Sequence, residues 1–194
     1  MASTTSVVVC VFAALILTGC GGDSTEKPDA SSGDAPSQTA DAFDPPGGKV
    51  VFDLRVRPRD RSAAVEAYAA WQRASTASLR RRQMLAAVGD RAAEGPAELV
   101  KKSLETVREN DYTVPRRMVG RVQSARVDGR AAVVGACLWS PSFDYHDRES
   151  GRSATNAKPH WMGVEVRMTR SSVQDGRWIV AGLSTRADCE GNRP

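Results

Sequence analysis

Two apolar runs near the carboxyl end of the chain constrain its fold more than any other feature. They cover residues 161–169 and 177–183, and an Asp-Gly pair lies between them at 175–176. Asp-Gly between β-rich runs is a strong signal for a tight hairpin, because glycine readily takes a positive φ. In the first run apolar and polar residues alternate, which is typical of a half-buried strand. The second run is apolar on both faces, so we expect it to lie deeper in the sheet.

Further strands are predicted upstream of this hairpin. Residues 117–127 and 130–139 flank a second Asp-Gly pair at 128–129, and the latter run carries small and apolar residues on both faces. This pattern predicts a second hairpin that is covered on both sides. Residues 51–57 alternate and predict a short edge strand. The polar stretch 140–159 is predicted to be a long loop without secondary structure.

The helical part of the chain begins at Asp60 or Ser62, either of which can cap a first helix. Ser78 is placed to cap a second helix that Gly89 stops, and Pro96 is placed to begin a third. The residues predicted to face the core are Ala64, Tyr68, Trp71, Ser75, Met84, Leu85, Val88, Val100, Leu104 and Val107. Helices followed by hairpins predict the α+β class, with three helices packed on a curved antiparallel meander sheet.

The amino end has the pattern of an export signal. Residues 7–17 form an apolar run that is too short to span a bilayer and ends in Leu-Thr-Gly-Cys at 17–20. This motif resembles the lipobox of bacterial lipoproteins, in which the Cys thiol is joined to diacylglycerol and the signal is cut before it. The resemblance implies that residues 1–20 are a signal peptide and that Cys20 is lipidated. An ordinary signal peptide with a chance cysteine is the alternative, and no Lys or Arg precedes the apolar run.

The segment that follows has the composition of a tether. Residues 21–48 are rich in Ser, Asp, Ala, Pro and Gly and carry six acids against one base. They cannot bury enough apolar surface to offset their ordering entropy, so we predict a disordered coil with a mean reach of about 30 Å. The chain is therefore expected at the extracytoplasmic face of the cell membrane, held there by its lipid.

Residues 49–194 are predicted to form one α+β domain, and that domain is basic. It holds 26 Lys or Arg against 17 Asp or Glu. Such a balance can favour anionic lipid or a cell-wall polymer, and a solvated Arg-rich surface is the alternative. No nucleic-acid partner is expected, because the sequence has neither a binding motif nor a dense Lys/Arg stripe with interleaved aromatic residues.

The order of several weak motifs carries a second resemblance. The motifs are Ala-Tyr-Ala-Ala-Trp at 67–71, Val-Val-Gly-Ala-Cys at 133–137, Asp-Gly-Arg-Trp-Ile-Val at 175–180, and a late Cys189. Together, over about residues 59–189, they resemble small actinobacterial lipoproteins of the nuclear transport factor 2-like superfamily. The resemblance implies a cone, as in SnoaL-like and ketosteroid-isomerase-like proteins, in which a curved sheet wraps around the helices and leaves a pocket.

No catalytic set and no cofactor site can be predicted from the sequence. His146 and His160 lie in or beside the long loop, where surface positions are expected. Two histidines without a close pair of cysteines do not make a zinc ligand set. The candidates for lining an aromatic pocket, which as core packing would need no ligand, are Tyr68, Trp71, Trp139, Trp161 and Trp178.

A disulfide is predicted from the cysteine count and the meander. Of the four cysteines, Cys10 leaves with the signal and Cys20 carries lipid, so Cys137 and Cys189 remain in an oxidising compartment. The meander brings both thiols to one edge of the sheet, but an intervening strand separates them, so the tail after Ser184 must fold back across it. Two separate buried thiols are the alternative.

Three functions stay open at this point. The preferred one is a membrane-anchored extracytoplasmic module that binds an envelope protein, a polymer or an apolar small ligand. The second is an accessory subunit of a cell-envelope complex, and the third is an isomerase-type or cyclase-type enzyme. An enzyme should hold a buried carboxylate or His with a perturbed pKa in the cone, and a ligand binder should hold a large apolar cavity. A partner protein should bind at an exposed apolar patch.

Overall fold

The computed structural model describes residues 48–155, 157–173, 175–187, 189–190 and 194. These residues form an α+β fold, as predicted, with three helices on one face of a curved, mostly antiparallel sheet. The predicted signal peptide, with Cys20, and nearly all of the predicted tether lie outside the described residues. Within the described residues, no helix is long and apolar enough to cross a membrane.

The first helix is longer than the sequence predicted. The helices are α1 Ala63–Arg81, α2 Ala86–Gly89 and α3 Glu94–Glu109. Ser62 caps α1, because its hydroxyl accepts a hydrogen bond from the Val65 amide at 3.3 Å. The cap predicted at Ser78 is wrong, since α1 continues through this position. The Ser78 hydroxyl donates to the Ala74 carbonyl at 2.9 Å and accepts from the Leu85 amide at 3.1 Å, so it supports the turn after α1.

The other two helices agree with the sequence in part. The second is a single turn, in which Val88 is buried, while Met84 and Leu85 precede its first residue. The third begins at Glu94 and not at Pro96, which still lies in the first turn, where a missing amide proton costs nothing. Its remaining buried side chains are the predicted ones, namely Val100, Leu104 and Val107.

The strands are β1 Val51–Arg55, β2 Tyr112–Thr113, β3 Arg117–Asp128, β4 Ala131–Trp139, β5 His146–Asp147, β6 Trp161–Arg170 and β7 Trp178–Arg186. The main sheet has the order β1-β3-β4-β6-β7. Both Asp-Gly hairpins are present, with φ of 53° at Gly129 and 70° at Gly176. The prediction of a fully antiparallel sheet is wrong at β1, which pairs with β3 in parallel because the three helices form the crossover between them. A bulge between Val122 and Ser124 bends β3.

The last strand, β7, lies at the edge of the sheet, although its two-sided apolar pattern predicted a deeper position. A bulge at Ala181 explains the pattern, because it interrupts the alternation of side chains. Trp178 and Val180 before the bulge and Leu183 after it all pack toward the helices. The edge is also covered, since the Val180 amide and carbonyl bond to the backbone between α2 and α3 at 2.9 and 2.8 Å.

The stretch 140–159 is more ordered than predicted. It opens with a 3-10 helix, Ser140–Phe143, in which the Ser142 hydroxyl donates to the Trp139 carbonyl at 2.7 Å. It then supplies β5, which pairs with β2 in a small second sheet. Neither two-residue strand has an alternating pattern that predicts it, because such short strands are defined by the strand with which they pair.

Candidate functional site

The five aromatic residues predicted to line a pocket do not lie together. Tyr68, Trp71 and Trp178 belong to the core between the helices and the sheet. Trp139 and Trp161 pack on the opposite face of the sheet, with ring centroids 5.4 Å apart. The reason is the alternation of side chains along a strand, which puts both tryptophans on the outer face, away from the helices.

The space between the helices and the sheet is filled by side chains. Tyr68 is fully buried there, with the Phe52 ring edge-on at 6.0 Å and the Trp71 ring stacked at 6.5 Å. Burial raises the pKa of Tyr68 to about 12, and a hydrogen bond that the Gln72 amide donates to its hydroxyl, at 3.2 Å, opposes this rise. A phenol that stays neutral at physiological pH and is packed on all sides has a structural role here.

The two histidines take part in the local structure of the long loop. Nδ1 of His146 lies 3.2 Å from the Gly151 carbonyl oxygen, and Nδ1 of His160 lies 2.9 Å from a carbonyl two residues earlier. Asp147 accepts hydrogen bonds from the hydroxyl and the amide of Ser150, which lower the pKa of its exposed carboxyl. The described residues contain no group of three or more His, Cys, Asp or Glu arranged to hold a metal ion.

The predicted disulfide is present, and it joins Cys137 to Cys189 with their Cα atoms 6.0 Å apart. The chain after β7 crosses β6 to reach Cys137, as the strand order requires. It crosses at Gly163, where a side chain would collide with the Ala187 backbone. The Cys189 amide then donates to the Trp161 carbonyl at 3.0 Å. The absent side chain of Gly163 therefore makes room for the tail that closes the disulfide.

Around the disulfide lies a second, smaller apolar cluster on the outer face of the sheet. It contains Cys137, Cys189, Trp139 and Trp161, with Val119 beside them. The Arg121 guanidinium lies 4.7 Å from the Trp161 ring centroid, and it also donates to the Glu190 carbonyl. The carboxyl-terminal segment thus covers this cluster.

A basic groove runs between the start of the domain and one side of α1. We call it the arginine groove. Its volume is about 420 Å³, and its lining consists of Gly48, Lys49, Val50, Arg73, Ala74, Ala77, Arg80 and Arg81. Four of these residues are basic and none is acidic. The groove is not predicted from the sequence, although the spacing of Arg73, Ala77 and Arg80 already places them on one helix side. The sequence does not reveal that residues 48–50 lie against that side.

A second groove, of about 550 Å³, lies between the end of β1 and the bulge of β3. Its basic residues are Arg55, Arg57 and Arg121. Arg57 donates to the Asp60 carboxylate at 2.7 Å and to the Gln123 carbonyl, and Arg121 has the contacts given above. Two of its three guanidinium groups are thus already engaged within the domain, which distinguishes it from the arginine groove.

Comparisons with known proteins add little to this description. No protein-family model matches the chain, and no curated protein matches it. Among solved structures it is similar to the intermembrane space region of the chloroplast protein ARC6. The sequence identity is 14%, the match covers 64% of this chain and 97% of that chain, and the TM-score is 0.44. A likeness at this level assigns neither a family nor a function.

Proposed function

We propose that the chain is a lipid-anchored extracytoplasmic module that binds a partner at its surface. The observation that carries the proposal is the Cys137–Cys189 disulfide. Disulfides persist in oxidising compartments and are rare in the cytosol, so the bond agrees with the export signal that the lipobox-like sequence at 17–20 predicts. Cys20 would carry the lipid, and residues 21–48 would form the tether between the membrane and the domain.

Binding at the surface is favoured over chemistry in a cone pocket. The position where an isomerase-like or cyclase-like protein would need a cavity is filled by Tyr68, Met118 and their apolar neighbours, all deeply buried. The same packing argues against an apolar ligand inside the cone. The grooves described above open to solvent, and basic residues line both of them. An anionic component of the envelope is therefore a better match to this domain than an apolar ligand.

Kinship with the nuclear transport factor 2-like lipoproteins is part of the proposal. It is supported by the order of three helices followed by a curved sheet, together with the motifs at 67–71 and 133–137. An experimental structure superposed on such a lipoprotein would test it. We expect β3, β4, β6 and β7 to superpose in order, and a different strand order in the relatives would contradict the kinship.

Phase partitioning in Triton X-114 tests the anchor. The full chain is expressed in a bacterium that processes lipoproteins, next to Cys20→Ser and the matched control Cys10→Ser. We expect the wild type and Cys10→Ser in the detergent phase and Cys20→Ser in the aqueous phase, because acyl chains hold a protein in a micelle. A wild-type chain in the aqueous phase, or identical behaviour of the two variants, would contradict the proposal.

A further inference from the structure

We infer that the arginine groove binds the phosphate group of anionic phospholipids in the membrane that anchors the chain. This inference rests on the proposed function, because the anchor is what keeps the domain beside such headgroups. Three features of the groove support this inference, which are its cations without a partner among the described residues, its shape, and its position at the junction with the tether.

Three of the four cations that line the groove have no partner within the described part of the domain. Lys49, Arg73 and Arg81 are exposed, and within the described ranges they make no ion pair and no side-chain hydrogen bond. By contrast, the adjacent Arg82 is paired with Asp111. Three cations that converge on one groove without a carboxylate repel each other, and an anion placed between them relieves that repulsion.

The shape of the groove suits a phosphate group. Ala74 and Ala77 of α1 line the groove with short side chains, beside the longer side chains of Lys49, Arg73, Arg80 and Arg81. Its volume of about 420 Å³ lies within the usual range of about 300–1,000 Å³ for small-ligand sites. Guanidinium groups bind phosphate oxygens in a bidentate manner, while Lys acts as a point charge, so this set can hold a phosphate diester from two sides.

Arg80 contributes to the groove a guanidinium group whose orientation is fixed. Its side chain is buried, with 8% of the residue exposed, and Nη1 donates to the Val114 carbonyl at 2.8 Å. The guanidinium therefore keeps one orientation whether or not an anion is present. Because Arg80 also contributes to the packing of the domain, its substitution is not a clean test, and Arg73 and Arg81 are the residues to change.

The position of the groove favours a membrane headgroup over a free anion. Gly48 and Lys49, which line the groove, are where the predicted tether joins the domain. The groove thus includes the described residues that are nearest to Cys20 along the chain. A tether with a mean reach of about 30 Å holds the groove at a high effective concentration beside the headgroups, so even a weak site is occupied.

The test measures protection of arginine side chains from phenylglyoxal in the full processed chain, held in micelles of a neutral detergent. The rate at each arginine is read by mass spectrometry in five parallel samples. One sample has no addition. The other four contain phosphatidylglycerol mixed into the micelles, its soluble headgroup glycerophosphoglycerol, inorganic phosphate, and soluble poly(glycerol phosphate), respectively. Arg126 and Arg177, which are exposed on the sheet and its hairpin, serve as internal controls in every sample.

We expect phosphatidylglycerol to slow the modification of Arg73 and Arg81 by about tenfold, and to leave Arg126 and Arg177 within about twofold. Weaker protection by glycerophosphoglycerol or inorganic phosphate supports a phosphate site that the membrane fills by proximity. Equal rates in all samples, or equal protection of the control arginines, would overturn the inference. Protection by poly(glycerol phosphate) alone would also overturn it, because the ligand would then be a polymer.

Paired variants provide a second measurement. Arg73→Gln/Arg81→Gln and the matched pair Arg126→Gln/Arg177→Gln lose the same charge, so a difference between them reports the groove and not the net charge. We expect only the first pair to lose the protection of Lys49 from acetylation in phosphatidylglycerol micelles. If the anchor is absent, the chain partitions into the aqueous phase of Triton X-114. The groove can still be tested in that case, because protection of its arginines by soluble glycerophosphoglycerol does not depend on the anchor.

Discussion

Removal of the disulfide by Cys137→Ala/Cys189→Ala should lower the stability of the domain considerably. The bond spans 52 residues of sequence. In the chain-entropy model, a closed loop of that length lowers the conformational entropy of the unfolded chain, which stabilises the folded state by about 4 kcal/mol at 25 °C. Alanine is preferred to serine here because Cys137 is fully buried, and a hydroxyl at that position would need a new partner.

The corresponding change in melting temperature can be worked out from the size of the domain. For about 150 residues, each kcal/mol of destabilisation lowers the melting temperature by roughly 2–4 °C. The double variant should therefore melt about 8–16 °C below the wild type. Circular dichroism at 222 nm and scanning calorimetry both measure this difference, and both should show one transition.

Two controls separate the disulfide from the side effects of the substitutions. Reduction of the wild type should lower its melting temperature by a similar amount, while reductant should leave the double variant unchanged. Thiol labelling of the denatured, unreduced wild type should find neither Cys137 nor Cys189 reactive. A double variant that melts within about 3 °C of the wild type, or two reactive thiols per domain, would refute the reasoning.

Three further predictions concern other parts of the chain. Gly163→Val should lower the melting temperature and leave free thiols after oxidation, because its side chain would collide with the Ala187 backbone, whereas Gly89→Ala, at an open position, should do neither. The folded-state pKa of Tyr68, about 12, lies above that of an unfolded tyrosine, about 10, so its contribution to stability is complete below pH 10 and declines between pH 10 and 12. Urea titrations should show a loss of about 2–3 kcal/mol over this interval that Tyr68→Phe lacks, and equal pH profiles would contradict the shift. Deletion of residues 21–47 should leave the melting temperature nearly unchanged, and a fall of many degrees would show that this segment packs on the domain.

The features that the sequence predicted best are those with a local cause. Each Asp-Gly pair supplies the positive φ that a tight turn needs, so both hairpins could be located from two residues. The cap of α1 could be narrowed to Asp60 or Ser62, because either side chain can accept a hydrogen bond from a free helix amide, and Ser62 is the one that does so. The disulfide followed from counting cysteines, and its path across β6 followed from the order of strands in a meander.

The predictions that failed depend on contacts between distant parts of the chain. Ser78 has the residue type of a cap, but its hydroxyl is engaged with Ala74 and Leu85, and α1 ends only where Arg82 takes a left-handed conformation. Residue type alone predicts that Trp139 and Trp161 join the core aromatics, but the alternation along β4 and β6 puts them on the outer face. The arginine groove depends on the approach of residues 48–50 to α1, which no local pattern encodes.

The crossing of the tail over Gly163 has a consequence for the order of events during maturation. The native path of the tail to Cys137 starts from the end of β7 and passes over β6, so this path exists only once β7 has paired with β6. A disulfide formed along this path therefore stabilises a sheet whose last strand is already paired. A Cys189 thiol that stays reactive would mark molecules whose last strand has not docked.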